Sequence, residues 1–433
     1  MLASLSYLLL LAVLALGTVR YPAAAVAGVI CMFGLEQWGQ ASGSSLADHQ
    51  AFTNIAIGSI VIVGIGMRLL RGPTLVARLP STYWLVAALF TYAFLSILWT
   101  PDPSGAFDNW QRSYLYVITI VLATPLLCTA REDFVTALRW VVVVGGSICV
   151  AVLFFGHWGH RGLIIDALYE AEANPLALAT VAGQAAITLM LFPVCKSRVL
   201  RWTAVVLLVP ICLAVVVRTG SRGQLLAVLA AVAVAVPLSG ARIRATRLIS
   251  IPILLAALAA IAYASLGYFG GDADRWNYNL ATNDVEGRLD MAAVLLAKST
   301  ASAETLLFGL GTSASYHLLG IYPHVVALEI LGEEGLIGFG LFLAILAFCG
   351  RDLVRSFAHT DNDPAVRGAL AALTGALVFH LLVSFKQGSM LLNPLLFMHA
   401  VLVPKLVLTM ISTTTPKPAA TVPADRFPNL LRS

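Results

Sequence analysis

Arg218 and Arg222 flank Thr219-Gly220-Ser221 in a break only a few residues long between two apolar runs, and this segment contains no Asp or Glu. A guanidinium held there can point into a headgroup layer or into a cavity between helices, so its counter-ion must come from outside the chain. The planar fork of arginine makes paired, charge-assisted hydrogen bonds to phosphate oxygens, which makes a diphosphate a fitting ligand. A lone cation of this kind would snorkel to a lipid phosphate. Here, however, Arg112, Arg161, Arg275, Arg288, Lys298 and Lys386 gather on the same set of loops. A ring of cations would also suit an anion channel or exporter.

A base is available in the same region. Pro323-His324 reads as a helix start, with Pro at the first helical position. The helix is expected to run through Glu329, Glu333 and Glu334 into the apolar run Gly335–Cys349. A helix N-terminus disfavours imidazolium, so His324 should remain neutral near pH 7 and able to accept a proton. At about 1.5 Å per residue it stands roughly 10–15 Å above the hydrocarbon. Glu329 and Glu333, four apart on one helical face, read with Glu334 as a solvated face. Asp272-Ala273-Asp274 follows Gly270-Gly271 and reads as a turn rather than a metal site. The cysteines lie singly in or beside apolar runs, with no zinc spacing. His380 and His399 lie within apolar runs and read as core residues, while His157 and His160 frame Arg161.

The elements that must hold these residues follow from composition. Of 433 residues, 59% are hydrophobic and 11% charged, too little charge to cover a soluble surface. No nucleic-acid partner is expected. Runs of membrane-spanning length fall at 2–18, 21–36, 51–68, 82–99, 112–128, 138–155, 175–195, 202–217, 223–238, 249–267, 330–349, 368–385 and 390–410. They predict an all-α polytopic membrane protein of about 12–13 spans. The first run lacks a basic segment before it and is expected to be retained. The spans form one transmembrane domain over 1–410, and a Pro/Thr/Ala-rich tail over 411–433 is expected to be disordered.

Basic residues concentrate in alternate loops, at Arg68, Arg71, Arg78; Arg131, Arg139; Lys196, Arg198, Arg201; Arg242, Arg244, Arg247; and Arg351, Arg355, Arg367. The positive-inside rule makes this set cytoplasmic, together with the C-terminus. Loops 37–50, 100–111, 156–174, 218–222, 268–329 and 386–389 are then periplasmic. The longest of them, 268–329, predicts an amphipathic surface helix from Val285 to Ser299, capped by Asn283-Asp284, with Arg288 in its first turns. Its apolar face is read as Leu289, Ala292, Ala293 and Leu296.

Five segments then occur in a suggestive order. Leu95-Ser96-Ile97-Leu98-Trp99-Thr100-Pro101-Asp102-Pro103 and Asn174-Pro175-Leu176-Ala177 precede Thr219-Gly220-Ser221-Arg222-Gly223. Gly287-Arg288-Leu289-Asp290, with Leu307-Phe308-Gly309-Leu310-Gly311, comes next. Pro323-His324, Leu328-Glu329-Ile330-Leu331 and Glu334-Gly335-Leu336-Ile337-Gly338 follow. From about residue 82 to 349 the chain resembles the O-antigen ligase and polymerase superfamily of bacterial membrane glycosyltransferases. The resemblance implies a GT-C-like fold in the bacterial inner membrane, with an active site facing the periplasm. It implies inverting transfer, without metal or cofactor, from undecaprenyl-pyrophosphate-linked O-antigen to a hydroxyl of the lipid A–core oligosaccharide. Carried over by position, His324 is the base, and Arg222 and Arg288 hold the pyrophosphate. Arg161 is a looser match, and Arg218 enters on the local argument alone. Val325 departs from the family pattern, which has a polar residue after the histidine. The alternatives are an O-antigen polymerase or a protein O-oligosaccharyltransferase using the same donor, and, from another class, a membrane transporter.

Overall fold

An apolar segment in a bilayer finds no water for its backbone, so its N–H and C=O groups pair within the segment as a helix. The computed structural model describes residues 2–43, 49, 51–72, 79–160, 162–166, 171–239, 278–358 and 363–414, with short helical pieces between 252 and 264. The first half of the chain holds α1 (Leu2–Arg20), α2 (Ala24–Ser42), α3 (Phe52–Arg71), α4 (Ser81–Leu95), α5 (Pro103–Tyr116) and α6 (Arg131–Phe155). A small antiparallel hairpin, β1 (Ile164–Asp166) and β2 (Ala171–Glu172), leads into α7 (Pro175–Leu191), α8 (Arg198–Arg218) and α9 (Arg222–Ala235). The remainder is α10 (Tyr278–Ser299), α11 (Ala303–Phe308), α12 (Ala314–Leu319), α13 (Val326–Ala358), α14 (Pro364–Ser384) and α15 (Pro394–Thr414).

Among the described residues, nine helices are long and apolar enough to cross a membrane: α1, α3, α4, α6, α8, α9, α13, α14 and α15. The protein is an all-α, multi-pass membrane protein. The shorter apolar α7 and the polar-tipped α2, which carries Glu36, Gln37 and Gln40, pack among them. The run expected over 112–128 is not one α-helix: α5 continues as a π-helical stretch at Val117–Ala123 and a 3-10 turn at Thr124–Leu127. The Thr124 hydroxyl bonds the Thr119 carbonyl, and Pro125 removes a backbone donor. The run at 249–267, Asp272, Asp274, Arg275 and the tail after Thr414 lie wholly or largely outside the described residues.

The bundle has two chemically distinct ends. At one, Arg68 pairs with Asp133, Arg71 donates to the carbonyls of Val19 and Arg20, and Lys405 donates to the Pro125 carbonyl. At the other, Ser4 bonds the Ser42 carbonyl, Tyr7 bonds Thr53, and Asn54 reaches Tyr116. Helix α1 therefore crosses fully from Ser4 at the second end to Arg20 at the first. Of the nine spans, the most enclosed are α14 and α15, whose spanning windows are 83% and 89% buried. Small residues let neighbours approach them: a Cβ added to Gly183 of α7 would meet the Phe379 ring at 3.0 Å.

Helix α13 departs from the expected continuous run. Gly335 breaks it with φ 63° and ψ −163°, a conformation that L side chains essentially never adopt. The break frees backbone carbonyls, and the loop after α11 fills it. Leu310 N–H donates to the Gly332 carbonyl at 3.0 Å, and Gly311 N–H to the Glu333 carbonyl at 2.8 Å. Helix α10 also differs from expectation, beginning at Tyr278, so Asn283-Asp284 lies inside it rather than capping it.

Candidate functional site

Two of the segments that stood out in the sequence, Leu95–Pro103 and Leu307–Gly311, meet α13 at the Gly335 break. The Ser96 hydroxyl accepts from Thr312 N–H at 2.8 Å and lies 3.3 Å from a Glu334 oxygen. Thr100 donates to the Thr312 carbonyl at 2.9 Å. The Glu333 carboxylate accepts from Ser313 N–H at 2.7 Å, from Ser315 N–H at 3.0 Å and from the Ser315 hydroxyl. Met390 N–H, from the loop between α14 and α15, donates to Glu329 at 3.2 Å.

These bonds overturn the solvated-face reading of the three glutamates. Glu329, Glu333 and Glu334 are buried, at 5%, 4% and 1% exposure. The covering loop 308–315 supplies the donors for Glu333, while Glu329 is met by Met390 N–H and Glu334 by the Ser96 hydroxyl. Glu333→Gln is expected to cost about 1–3 kcal/mol, because whichever way the amide turns, its NH2 faces the N–H of Ser313 or Ser315. A lowered unfolding midpoint in detergent is the check.

His324 stands just outside α13 rather than within its first turn. The helix begins at Val326, and Glu329 N–H bonds the Val325 carbonyl, so Pro323 is not the first helical residue. His324 takes φ 58°, the left-handed region, which a non-glycine residue occupies only when its surroundings dictate it. The Tyr322 ring packs edge-on against the imidazole, centroids 4.5 Å apart, and Tyr316 backs Tyr322 at 5.8 Å. Burial, with Glu329 nearby, raises the Tyr322 hydroxyl above its ordinary pKa, so it remains a proton donor at neutral pH.

Tyr322 also walls a cavity of about 390 Å³ between α2, α7, α14 and α15, whose polar lining includes Glu36, Gln37, Asn174, Gln387 and Asn393. Asn174 caps α7 through Leu176 N–H at 3.0 Å, and its own N–H donates to Gln37 at 2.6 Å. Below them His380, Gln184 and His399 form a buried chain of hydrogen bonds ending on the Leu395 carbonyl. His399 is thus the core residue its position suggested, whereas His380 also borders the cavity.

The Arg218–Arg222 turn is tied to the same cavity. Gly220, at φ 63°, makes the reversal between α8 and α9, and the Thr219 hydroxyl bonds the Val216 carbonyl at 2.7 Å. Arg218 lies over the Trp158 ring at 5.7 Å, and Arg222 opens α9. Lys386 drapes its stem over Gly223, where an added Cβ would meet Lys386 Cδ at 2.2 Å, and its ammonium donates to Gln224 at 3.1 Å. Gln224 donates to Gln387 at 2.8 Å, and Gln387 lines the cavity. Lys386 therefore joins Arg222. In the sequence its only signal was an off-rule position; Gln224, Gln387 and Tyr322 gave none.

Arg288 lies apart, on α10, which docks on the first half of α13 through Leu295 against Gly332. Its buried and half-buried face is Arg288, Met291, Ala292, Leu295 and Ser299, whereas Leu289, Ala293 and Leu296 are exposed. The helix is amphipathic, but the expected apolar face is largely the one turned outward. Arg161 lies outside the described residues; the N–H groups of His160 and Gly162 on either side of it bond the Glu172 carboxylate. Among the described residues no cluster of metal-ligating side chains is present. No protein-family model matches the sequence, and no curated protein matches it.

Proposed function

We propose that the protein transfers a glycan from undecaprenyl pyrophosphate to a hydroxyl of the lipid A–core oligosaccharide on the periplasmic side of a bacterial inner membrane. The observation that carries this reading is the left-handed His324, packed on Tyr322 at a polar cavity, on the end of the bundle where the off-rule cations gather. The order of motifs resembling the O-antigen ligase and polymerase superfamily supports it, as does the packing of Ser96, Thr100 and Leu307–Gly311 at the Gly335 break.

In this reaction the acceptor hydroxyl gives its proton to a neutral His324 while its oxygen bonds to the anomeric carbon from the face opposite the leaving group. The bond from that carbon to the pyrophosphate oxygen breaks, and the electron pair leaves with the diphosphate. Arg222 and Arg288, with Arg161, Arg218 and Lys386, meet the charge that grows there, so neither a general acid nor a metal is required. The positive-inside rule favours this orientation, since Arg68, Arg71, Arg131, Lys196, Arg198, Arg351 and Arg355 lie at the opposite end, where α15 also finishes.

Deletion followed by lipopolysaccharide gels tests the proposal. A ligase mutant loses the whole ladder from lipid A–core, a polymerase mutant keeps one added repeat, and loss of a protein glycosylator leaves the ladder intact. Arg222→Lys and Arg288→Lys keep the charge but lose the fork. Each is expected to lower transfer about 10- to 100-fold, the loss of one charge-assisted hydrogen bond. Unchanged donor binding in both would show that these arginines are structural.

A further inference from the structure

At the end of the bundle opposite the site, the first turns of α6, α8 and α14 enclose a cavity of about 540 Å³. Four cations line it: Arg139, Lys196, Arg198 and Arg201. Two carboxylates share the wall, and both are engaged elsewhere. Glu132 pairs with Arg131 at 2.9 Å, and Asp363 caps α14 by accepting from Ala365 N–H at 2.8 Å. Among the described residues none of the four cations is ion-paired.

Arg198 belongs to a second feature as well. It heads the open apolar outer face of α8, which continues along Val199, Trp202, Val206 and Leu207. Each of these four is more than half exposed. From Arg198 to Leu207 the helix rises about 14 Å, close to the roughly 15 Å depth of one leaflet's hydrocarbon. Trp202 sits one turn below the cations, where the aromatic belt of a membrane protein meets the headgroups.

A positive pocket that adjoins, at one shared residue, a leaflet-deep apolar helix face has the polarity of a phospholipid. We propose that this is a specific binding site for an anionic phospholipid, with the headgroup phosphate held by Arg139, Lys196, Arg198 and Arg201 and an acyl chain laid along Trp202 and Val206. Positive-inside charge alone accounts for scattered basic loops; it does not account for four cations around one cavity set directly above an apolar, tryptophan-bearing helix face. The site is independent of the proposed reaction and lies at the far end of α8 from Arg218.

The test is retention and competition with the full-length protein in detergent. Native mass spectrometry after exposure to dioleoylphosphatidylglycerol should show retained lipid, with dioleoylphosphatidylcholine retained at least about tenfold less. Arg198→Gln and Arg201→Gln should each weaken retention roughly fivefold, the worth of one basic residue against an anionic headgroup. Trp202→Ala should weaken it with the charges intact. Lys196→Gln and Arg139→Gln, at exposed positions, repeat the measurement if the other variants do not fold. Millimolar inorganic phosphate should fail to displace the lipid; displacement would mean a plain phosphate site and would overturn the proposal. Equal retention of the two lipids, or retention unchanged in all the charge variants, would overturn it too.

Discussion

His324→Ala should reach the membrane at wild-type abundance and transfer glycan at least about 10²- to 10⁴-fold more slowly, the usual contribution of a positioned base. His324 is half-buried and precedes α13, so truncation removes little packing. Its backbone complicates the comparison, because alanine at φ 58° is itself unfavourable. His324→Asn separates the two effects: asparagine tolerates the left-handed region and cannot serve as the base. Both variants should be inactive in a gel of the lipopolysaccharide ladder and in transfer by the purified protein. Full transfer by either would remove His324 from the mechanism.

Gly335→Ala is expected to do more damage to the protein itself. At φ 63° and ψ −163° a Cβ costs about 1–3 kcal/mol in backbone strain alone. It would also stand 2.4 Å from Gly309 N and 2.5 Å from the Leu307 carbonyl oxygen, and backbone atoms cannot swing aside as a side chain can. The loop 308–315 must then lift away, stripping Glu333 of its donors from Ser313 and Ser315. We expect most of the protein to be lost from the monodisperse peak in fluorescence-detected gel filtration. Gly340→Ala, five residues along the same helix with nothing within 4 Å of its added Cβ, should elute unchanged. Identical profiles for the two variants would mean that the break is not what holds this region together.

The membrane class was legible in the sequence, and each of the nine spans among the described residues overlaps one of the thirteen runs read there, because a stretch of about 20 apolar residues has one stable outcome in lipid. The glutamates were not. Four-residue spacing reports which side chains share a face, but whether that face meets water depended on a loop some twenty residues upstream folding back over it. The Gly335 break was hidden for a related reason: a glycine in an apolar run looks like any small packing residue until its neighbour, Gly309, is found against it. Arg218 and Arg222 drew attention in the sequence because their short loop carries no acidic residue. Lys386 could not be assigned to them, since its place over Gly223 comes from the packing of α9 on α14.

The two most enclosed spans, α14 and α15, follow the other seven along the chain. A chain made from its N-terminus at about 5–20 residues per second must therefore hold the preceding spans in an unfinished, loosely associated state for several seconds. Only when this pair slots in can the spans packed against it close, so the two act as the keystone of the described bundle. During that interval the polar side chains facing the gap, Gln184 of α7 among them, have no companions, which makes this the stage at which quality-control proteases would find the nascent protein most vulnerable.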